Sequence, residues 1–316
     1  MMIEPAPQAP ITTSVIIPTH NRPRLLRACV ESVLAQTFPP ERFEIIVVDD
    51  GSRIPAARGL RDYLDSGRVR VLRQPQQGWA RARQLGAQEC RGEILVFLDD
   101  DCRAPAGWLA AYDRVYAAHP EAAGAGGALR PGPKLNVAGC KQYRGHLDYF
   151  RTLNRDAGSH ADPESPGQVT FTYGGNRSFR RDIWLRAQAP RSSWYFDDTE
   201  IDLRLRELGA RVYYTPEAWV AHAYDLSLPQ RLQAAFRYGR SEATRDPHSL
   251  PALPRPAEPS GLRARGLRDR WQRLRAECPS ATFAARLWYA LTQPLAWVAR
   301  KLGQSGVRRS RTHAAQ

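Results

Sequence analysis

The chain has no close pair of cysteines, no repeat period and no uninterrupted apolar stretch of membrane-spanning length. Its five cysteines, Cys29, Cys90, Cys102, Cys140 and Cys278, are scattered and odd in number. That spacing excludes a paired-cysteine zinc site and a disulfide framework, and fits a reducing, cytoplasmic compartment. Met1 to Pro10 carry an acid and three prolines but no basic or apolar stretch, so they do not read as a secretory signal. What remains is ordinary globular material. With 316 residues, 42% of them hydrophobic, the chain can bury a full core as one large domain or two modest ones.

The net charge of +14 is unevenly placed. From residue 231 onward there are 17 basic and 5 acidic residues, which leaves 29 against 27 for everything before. The basic character therefore belongs to a C-terminal appendage beside a nearly neutral domain, a pattern that suits contact with nucleic acid or an anionic membrane.

The most informative stretch is Ile94 to Cys102, where Ile-Leu-Val-Phe-Leu runs straight into Asp99, Asp100 and Asp101. A short apolar run reads as a strand buried on both faces, and its end as a sheet edge facing a crevice. Three adjacent acids repel one another, so a cation is the natural partner. In an extended segment Asp99 and Asp101 project to the same side and can share a divalent ion, while Asp100 points away. The competing reading is a solvated turn with an Asp cap on the helix near Trp108.

Upstream, Thr13 to Pro18 is a β-branched strand stopped by proline, followed by a polar loop, Thr19 to Pro23. Apolar residues at 25, 26, 29, 30, 33 and 34 then fall at helical spacing. Phe43 to Val48 is a second strand ending in Asp49-Asp50-Gly51-Ser52, so two strands end in carboxylates that would line one crevice. Val69 to Leu72 is a third strand, and Gly78 to Glu89 a helix with Arg81 and Arg83 near its start. The alternation implies a doubly wound, mostly parallel α/β sheet. A basic residue at a helix start suits an anionic ligand; Arg83 is the candidate, and Arg81 reads as a solvated helix face.

Val15 to Arg22 (V-I-I-P-T-H-N-R), Val47 to Ser52 (V-V-D-D-G-S), Ala82 to Ala87 (A-R-Q-L-G-A) and Phe97 to Asp101 (F-L-D-D-D) together resemble the ordered signature of glycosyltransferase family 2, with its Rossmann-like GT-A fold. The match spans about the first 225 residues. The resemblance implies an inverting glycosyltransferase with a nucleotide-sugar site. Pro18, Thr19, Asn21 and the Asp49/Asp50 pair are then expected near base and ribose, Arg83 and Asp100 near the nucleotide, and Asp99 with Asp101 as the D-x-D metal motif. Gln84 stands where the family usually has Asn. Stacked carboxylates with no Cys/His cluster favour a hard cation, Mg²⁺ or Mn²⁺, over zinc, and such an ion neutralises the charge of a departing diphosphate.

Gly107 to His119 reads as a helix and Ala122 to Leu129 as a small-residue strand. Arg130 to Gly167 reads as a long polar loop, an acceptor-side flap or a surface excursion. Gln168 to Asn176 reads as a strand running into a double-glycine turn, where glycine lets backbone approach a ligand. The resemblance puts Gly175 and Asn176 between donor sugar and acceptor; the plainer reading is a turn with an Asn cap on the next helix. Tyr195 to Gly209 is a capped helix with more acids at its start than a cap needs. It is similar to the family's E-D-x-D/E-L-x-x-R element, which puts Asp198 at the position of the catalytic base and keeps Glu200 in reserve. Arg211 to Pro216 and Trp219 to His222 read as a last strand pair, and the resemblance makes His222 a third metal ligand.

These elements assign residues 1–227 to the catalytic domain and 228–316 to a basic, partly amphipathic helical region with a proline-rich linker near 250–260. Phe283 to Leu302 is interrupted by Arg286, Gln293 and Pro294, which suits a helix lying on an anionic membrane surface or capping the domain. The expected partners are a nucleotide-sugar donor, commonly a UDP-sugar, and a glycan or lipid-linked acceptor, in cell-surface glycan synthesis. A membrane is expected for the tail rather than nucleic acid. Two rival readings remain: a sugar-phosphate nucleotidyltransferase, which would want a Gly-rich phosphate loop where His20-Asn21-Arg22-Pro23 stands, and a non-enzymatic membrane- or nucleic-acid-binding protein on an inactive domain.

Overall fold

The computed structural model describes residues 11–132, 136–187 and 197–223, with short helical pieces at 228–229, 232–233, 235–236, 291–292 and 295–302; the side chains of 197 and 198 fall outside that description. The first half of the chain builds four parallel strands, β1 (Thr13–Thr19), β2 (Phe43–Asp50), β3 (Val69–Gln74) and β4 (Ile94–Leu98), in the order β3-β2-β1-β4. β1 and β2 are buried at every residue, as the β-branched composition requires of strands covered on both faces. Helix α1 (Pro23–Leu34) starts on a proline whose missing N–H costs nothing there, and buries Leu26, Cys29, Val30 and Val33. The short helices α2 (Ala56–Gly59) and α3 (Arg61–Leu64) precede β3. Helix α4 (Trp79–Glu89) crosses close to β1, because a Cβ on Gly86 would sit 2.5 Å from the Ile16 side chain.

The second half is not the parallel continuation the sequence suggested. After β5 (Cys102–Arg103) and α5 (Trp108–Ala118), β6 (Ala122–Pro131) enters the sheet two places beyond β4. The gap is filled by β8 (Asn176–Arg180), antiparallel to both β4 and β6. β9 (Arg211–His222) then runs parallel to β6, and the short β5 and β7 (Gly167–Val169) pair antiparallel with β9. The sheet is therefore mixed. What was read as a strand pair, Arg211–Pro216 and Trp219–His222, is one strand with a register shift against β6 between Gly127 and Leu129. Segment 177–180, to which no element was assigned from sequence, is part of a central strand.

The stretch read as a long polar loop contains the 20-residue helix α6 (Val137–Asp156). Asn136 caps it by accepting from the Gly139 N–H at 2.8 Å; Val137 and Gly139 are buried at its start and Phe150, Leu153 and Asn154 near its end. Its polar residues are the outer face of an amphipathic helix. Helices α7 (Arg181–Ala187) and α8 (Asp197–Glu207) complete the fold.

Strand directions decide where the site lies. β1, β2, β4, β6 and β9 all point the same way, so the carboxyl ends of β1, β2, β4 and β9 share one edge with the amino end of the reversed β8. Among the described residues, no helix is long and apolar enough to cross a membrane. The proposed boundary at 227 and nearly all of the tail lie outside the described residues, as does Cys278; Cys29, Cys90, Cys102 and Cys140 are free thiols.

The small residues of β6 are a packing demand. A Cβ on Gly127 would strike the Ala218 carbonyl oxygen and lie 2.5 Å from Asn176 Nδ2 and 2.8 Å from the Tyr112 hydroxyl. Gly127→Ala is expected to destabilise the fold by about 2–3 kcal/mol through overpacking against backbone, read as a lower midpoint in urea unfolding.

Candidate active site

The acid triplet sits in a turn rather than an extended segment: the Cys102 N–H donates to the Asp99 carbonyl at 3.0 Å, between β4 and β5. The alternation argument that sent Asp100 outward therefore fails. Asp100 turns inward, is 4% exposed, and accepts from the Thr19 hydroxyl at 2.6 Å and from Arg22 Nη1 at 3.0 Å. Burial pushes its carboxyl up to about 7, with Arg22 pulling the other way. The same Arg22 nitrogen donates to Asp101 Oδ2 at 2.9 Å. Burial opposes the Arg22 charge, but Asp100 and Asp101 outweigh that and hold the guanidinium protonated. Asp99, on the other flank, accepts from Arg83 Nη2 at 2.9 Å. Arg83 is buried on α4, while Arg81 stays on the surface and donates to Gln84 Oε1 at 3.2 Å. Arg83 is thus in the site, and Gln84 is engaged by its own helix.

The loops after β1 and β2 are laced together. Asp49 Oδ1 accepts from the Ser52 N–H at 2.8 Å and Oδ2 from the Ala56 N–H at 3.0 Å. Burial alone would raise this carboxyl; those hydrogen bonds and nearby Arg73 hold it below its ordinary value. Asp50 accepts from the N–H groups of Gln77 and Gly78 at 2.7 and 2.8 Å and from Gln74 Nε2 at 2.7 Å. Asn21, at φ 55, accepts at Oδ1 from the Arg53 N–H at 2.8 Å, while its own N–H donates to Ser52 Oγ at 2.9 Å. Pro18 is buried within β1 beside Val48. These residues line the edge, and the carboxylates of Asp49 and Asp50 are used in shaping its loops.

At the far side β5 and β9 pair Cys102 with His222, which brings His222 beside Asp101. Asp101 Oδ1 is buried, receives no hydrogen bond, and lies 3.4 Å from His222 Nε2. Asp101, Cys102 and His222 offer ligand atoms within 4.8 Å of one another. Burial pushes the Cys102 thiol well up, so it stays protonated. A carboxylate oxygen without a hydrogen bond beside an imidazole can take a divalent ion. Sequence reasoning missed Arg22, set aside as loop chemistry, and His146 on α6. The His146 ring meets His222 edge-on at 6.3 Å, and burial pushes it down to about 4, so it is neutral.

Gly175 packs against the acid triplet: a Cβ there would lie 2.5 Å from Asp99 Oδ2. Asn176 does not act as a ligand contact. It is fully buried, its Oδ1 accepts from Trp108 Nε1 and the Tyr112 hydroxyl at 2.8 Å each, and its Nδ2 donates to the carbonyls of Ala128 and Ala218 at 2.9 and 2.7 Å. Nor is it a helix cap; it ties α5, β6 and β9 to β8. Asp198 stands on the first turn of α8, its side chain outside the described residues. Glu200 is buried and accepts from Arg204 at 2.7 Å, while Asp202 and Arg177, each 1% exposed, pair at 3.4 Å and hold α8 to β8.

A half-parallel, half-antiparallel sheet whose edge gathers an acid triplet, two arginines and a terminal histidine defines the class, a GT-A fold. The mannosyltransferase PcManGT of Pyrobaculum calidifontis, solved with GDP-Man and Mn²⁺, superposes with a TM-score of 0.57 at 17% identity over 99% of this chain and 92% of its own. GalNAc-T7, solved with UDP, GalNAc and Mn²⁺, superposes at 0.53 and 18% identity over 88% and 56%. In sequence, the Haloferax volcanii glycosyltransferase AglE is 36% identical over 99 residues, 30% of this chain and 32% of AglE. The glucosyl-dolichyl phosphate glucuronosyltransferase of the same organism is 28% identical over 223 residues, 66% of this chain and 68% of its own. A putative polypeptide N-acetylgalactosaminyltransferase 10 of Caenorhabditis briggsae is 44% identical over 106 residues, 17% of its own length, so this chain spans about a third or less of that protein and of AglE. The glycosyl transferase family 2 model matches residues 14–185, more than half of the chain. The chain belongs to glycosyltransferase family 2.

Because Asn176 satisfies four buried groups, Asn176→Ala is expected to cost about 3 kcal/mol or more of stability. Chemical unfolding reads this directly; an unchanged unfolding midpoint would return Asn176 to the ligand-contact role.

Proposed function

We propose that this chain transfers a sugar from a nucleoside diphosphate donor to an acceptor hydroxyl, with inversion and with Mg²⁺ or Mn²⁺. The observation that carries the reading is Asp101 Oδ1, buried without a donor and facing His222 Nε2 at the edge where β1, β2 and β4 end. Asp101 and His222 would hold the ion, which when bound would supply charge neutralisation at the departing diphosphate. Asp99, kept in place by Arg83, completes the D-x-D pair. Pro18, Thr19, Asn21, Asp49 and Asp50 form the wall for base and ribose, largely through the loop conformations their hydrogen bonds fix. Gly175 leaves the space that Asp99 and the donor sugar share.

Asp198 is the base. Its neighbour Glu200 is engaged by Arg204, which favours Asp198 over the reserve. The acceptor oxygen attacks the anomeric carbon as its proton passes to the Asp198 carboxylate, and the bond from that carbon to the phosphate oxygen breaks with its electron pair leaving on the diphosphate. Attack opposite the leaving group inverts the centre.

The Mn²⁺ and nucleotides named with the two solved structures support the cation and donor class, with a UDP-sugar as the first donor to try. The relative named for a dolichyl phosphate substrate supports a lipid-linked acceptor and a role in surface glycan assembly. The exposed Leu291, Leu295, Trp297, Val298 and Leu302 beside Arg300 and Lys301 support a peripheral membrane contact for the tail.

The test incubates the full chain with Mn²⁺ and a panel of UDP-, GDP- and TDP-sugars and follows release of the nucleoside diphosphate. Release from one donor is expected, falling about 10²–10⁴-fold in Asp198→Asn with the melting temperature retained. No release from any donor, with or without a polyprenyl phosphate acceptor, would overturn the reading.

A further inference from the structure

Arg22 lies on the polar loop between β1 and α1, and the reading above gives it no part in transfer. One of its nitrogens bridges Asp100 Oδ1 at 3.0 Å and Asp101 Oδ2 at 2.9 Å, while the side chain keeps 42% of its exposure. Arg83 answers Asp99 in the same way from the other flank. Three carboxylates are thus opposed by two guanidinium groups before any ligand arrives. A guanidinium is always charged and matches carboxylates with fixed donors, so the positive charge of Arg22 and Arg83 does not lapse with pH. The edge keeps the donor atoms for a divalent ion, Asp101 Oδ1 and His222 Nε2, but little of the negative charge that would draw one in.

We propose that Arg22 is an internal counter-ion that makes metal binding at this edge conditional on a nucleoside diphosphate. The inference rests on the transferase reading and adds a binding order to it. With Arg22 on the acid pair, the residual charge near Asp101 is too small to hold Mg²⁺ or Mn²⁺ well, since such ions use one or two carboxylates plus phosphate oxygens. A diphosphate brings the missing negative charge, and its oxygens give the exposed face of Arg22 a second anion to bind. Donor and metal then enter as a unit, and the chain does not charge its site with free metal. Removing Arg22 transfers the attraction from the diphosphate to the protein's own carboxylates.

The experiment titrates Mn²⁺ into the full chain, following free Mn²⁺ by electron paramagnetic resonance, with and without UDP and GDP. The wild type is expected to bind Mn²⁺ weakly alone and at least about tenfold more tightly with one nucleoside diphosphate. Arg22→Gln is expected to bind Mn²⁺ alone about tenfold or more tightly than the wild type, because a positive charge within a few ångströms of the ion has gone. The nucleotide should then add less. Arg22→Lys, which keeps the charge, is expected to stay near the wild type, and thermal unfolding of each variant shows that the fold is intact. If Arg22→Gln binds Mn²⁺ alone no better than the wild type, the counter-ion role is overturned. If the wild type binds no Mn²⁺ even with every nucleotide, the metal-dependent transferase reading itself fails, a different result from the first.

Discussion

Three consecutive carboxylates in one turn of a sheet edge set the terms for the rest of this molecule. Left alone, Asp99, Asp100 and Asp101 would repel one another and, in the case of Asp100, carry a charge into the interior. The fold answers by delivering a hydroxyl and a guanidinium from the loop after β1 and a second guanidinium from α4. That is why the Thr19-His20-Asn21-Arg22 loop must be rigid. It is fixed by Asn21 at positive φ, by its bonds to Ser52 and Arg53, and by His20, whose Nδ1 lies 2.8 Å from the Asp50 carbonyl. The acids at the end of β2 serve the same end, holding their own loop through backbone N–H groups. The edge is a set of short loops locked around a group of charges.

The opposite side of the site depends on a neutral knot. Asn176 joins β8 to β6, β9 and α5, and the glycine beside it clears space for Asp99. With β8 reversed between β4 and β6, β9 is carried to the same edge, and pairing with β5 brings His222 against Asp101. Small residues along β6 permit this close stacking. Helix α6 then lays His146 beside His222 and Tyr149 against Thr199 on α8, with the Tyr149 and Thr199 hydroxyl oxygens 3.2 Å apart, so one helix borders both the end of β9 and the start of α8.

Local pattern revealed the parallel half well. Continuous apolar runs ending in acids marked β2 and β4, and helical spacing marked α1, because each of those elements is defined by its own burial. The mixed half was less legible, since strand direction is settled by long-range pairing that no local signal encodes. β8, with its arginines, gives no strand signal until Arg177 is seen paired with Asp202 deep in the structure. The α6 helix was hidden by a polar composition that belongs to its outer face. At the site, the acids and Arg83 could be read from motif order, whereas Arg22 and His146 could not. Each gains its role from a partner more than 70 residues away, Asp100 for Arg22 and His222 for His146. Asn176 was misassigned for the same reason: only the fold places Trp108, Tyr112 and two carbonyls around it.

The most direct test of this account is a crystal structure of the chain grown with Mn²⁺ and the nucleoside diphosphate it binds, with anomalous data collected above the manganese edge. The account predicts an anomalous peak between Asp101 Oδ1 and His222 Nε2, with diphosphate oxygens completing the coordination and the nucleoside lying along the ends of β1 and β2. A peak elsewhere on the sheet edge, or bound nucleotide with no manganese beside Asp101, would contradict it.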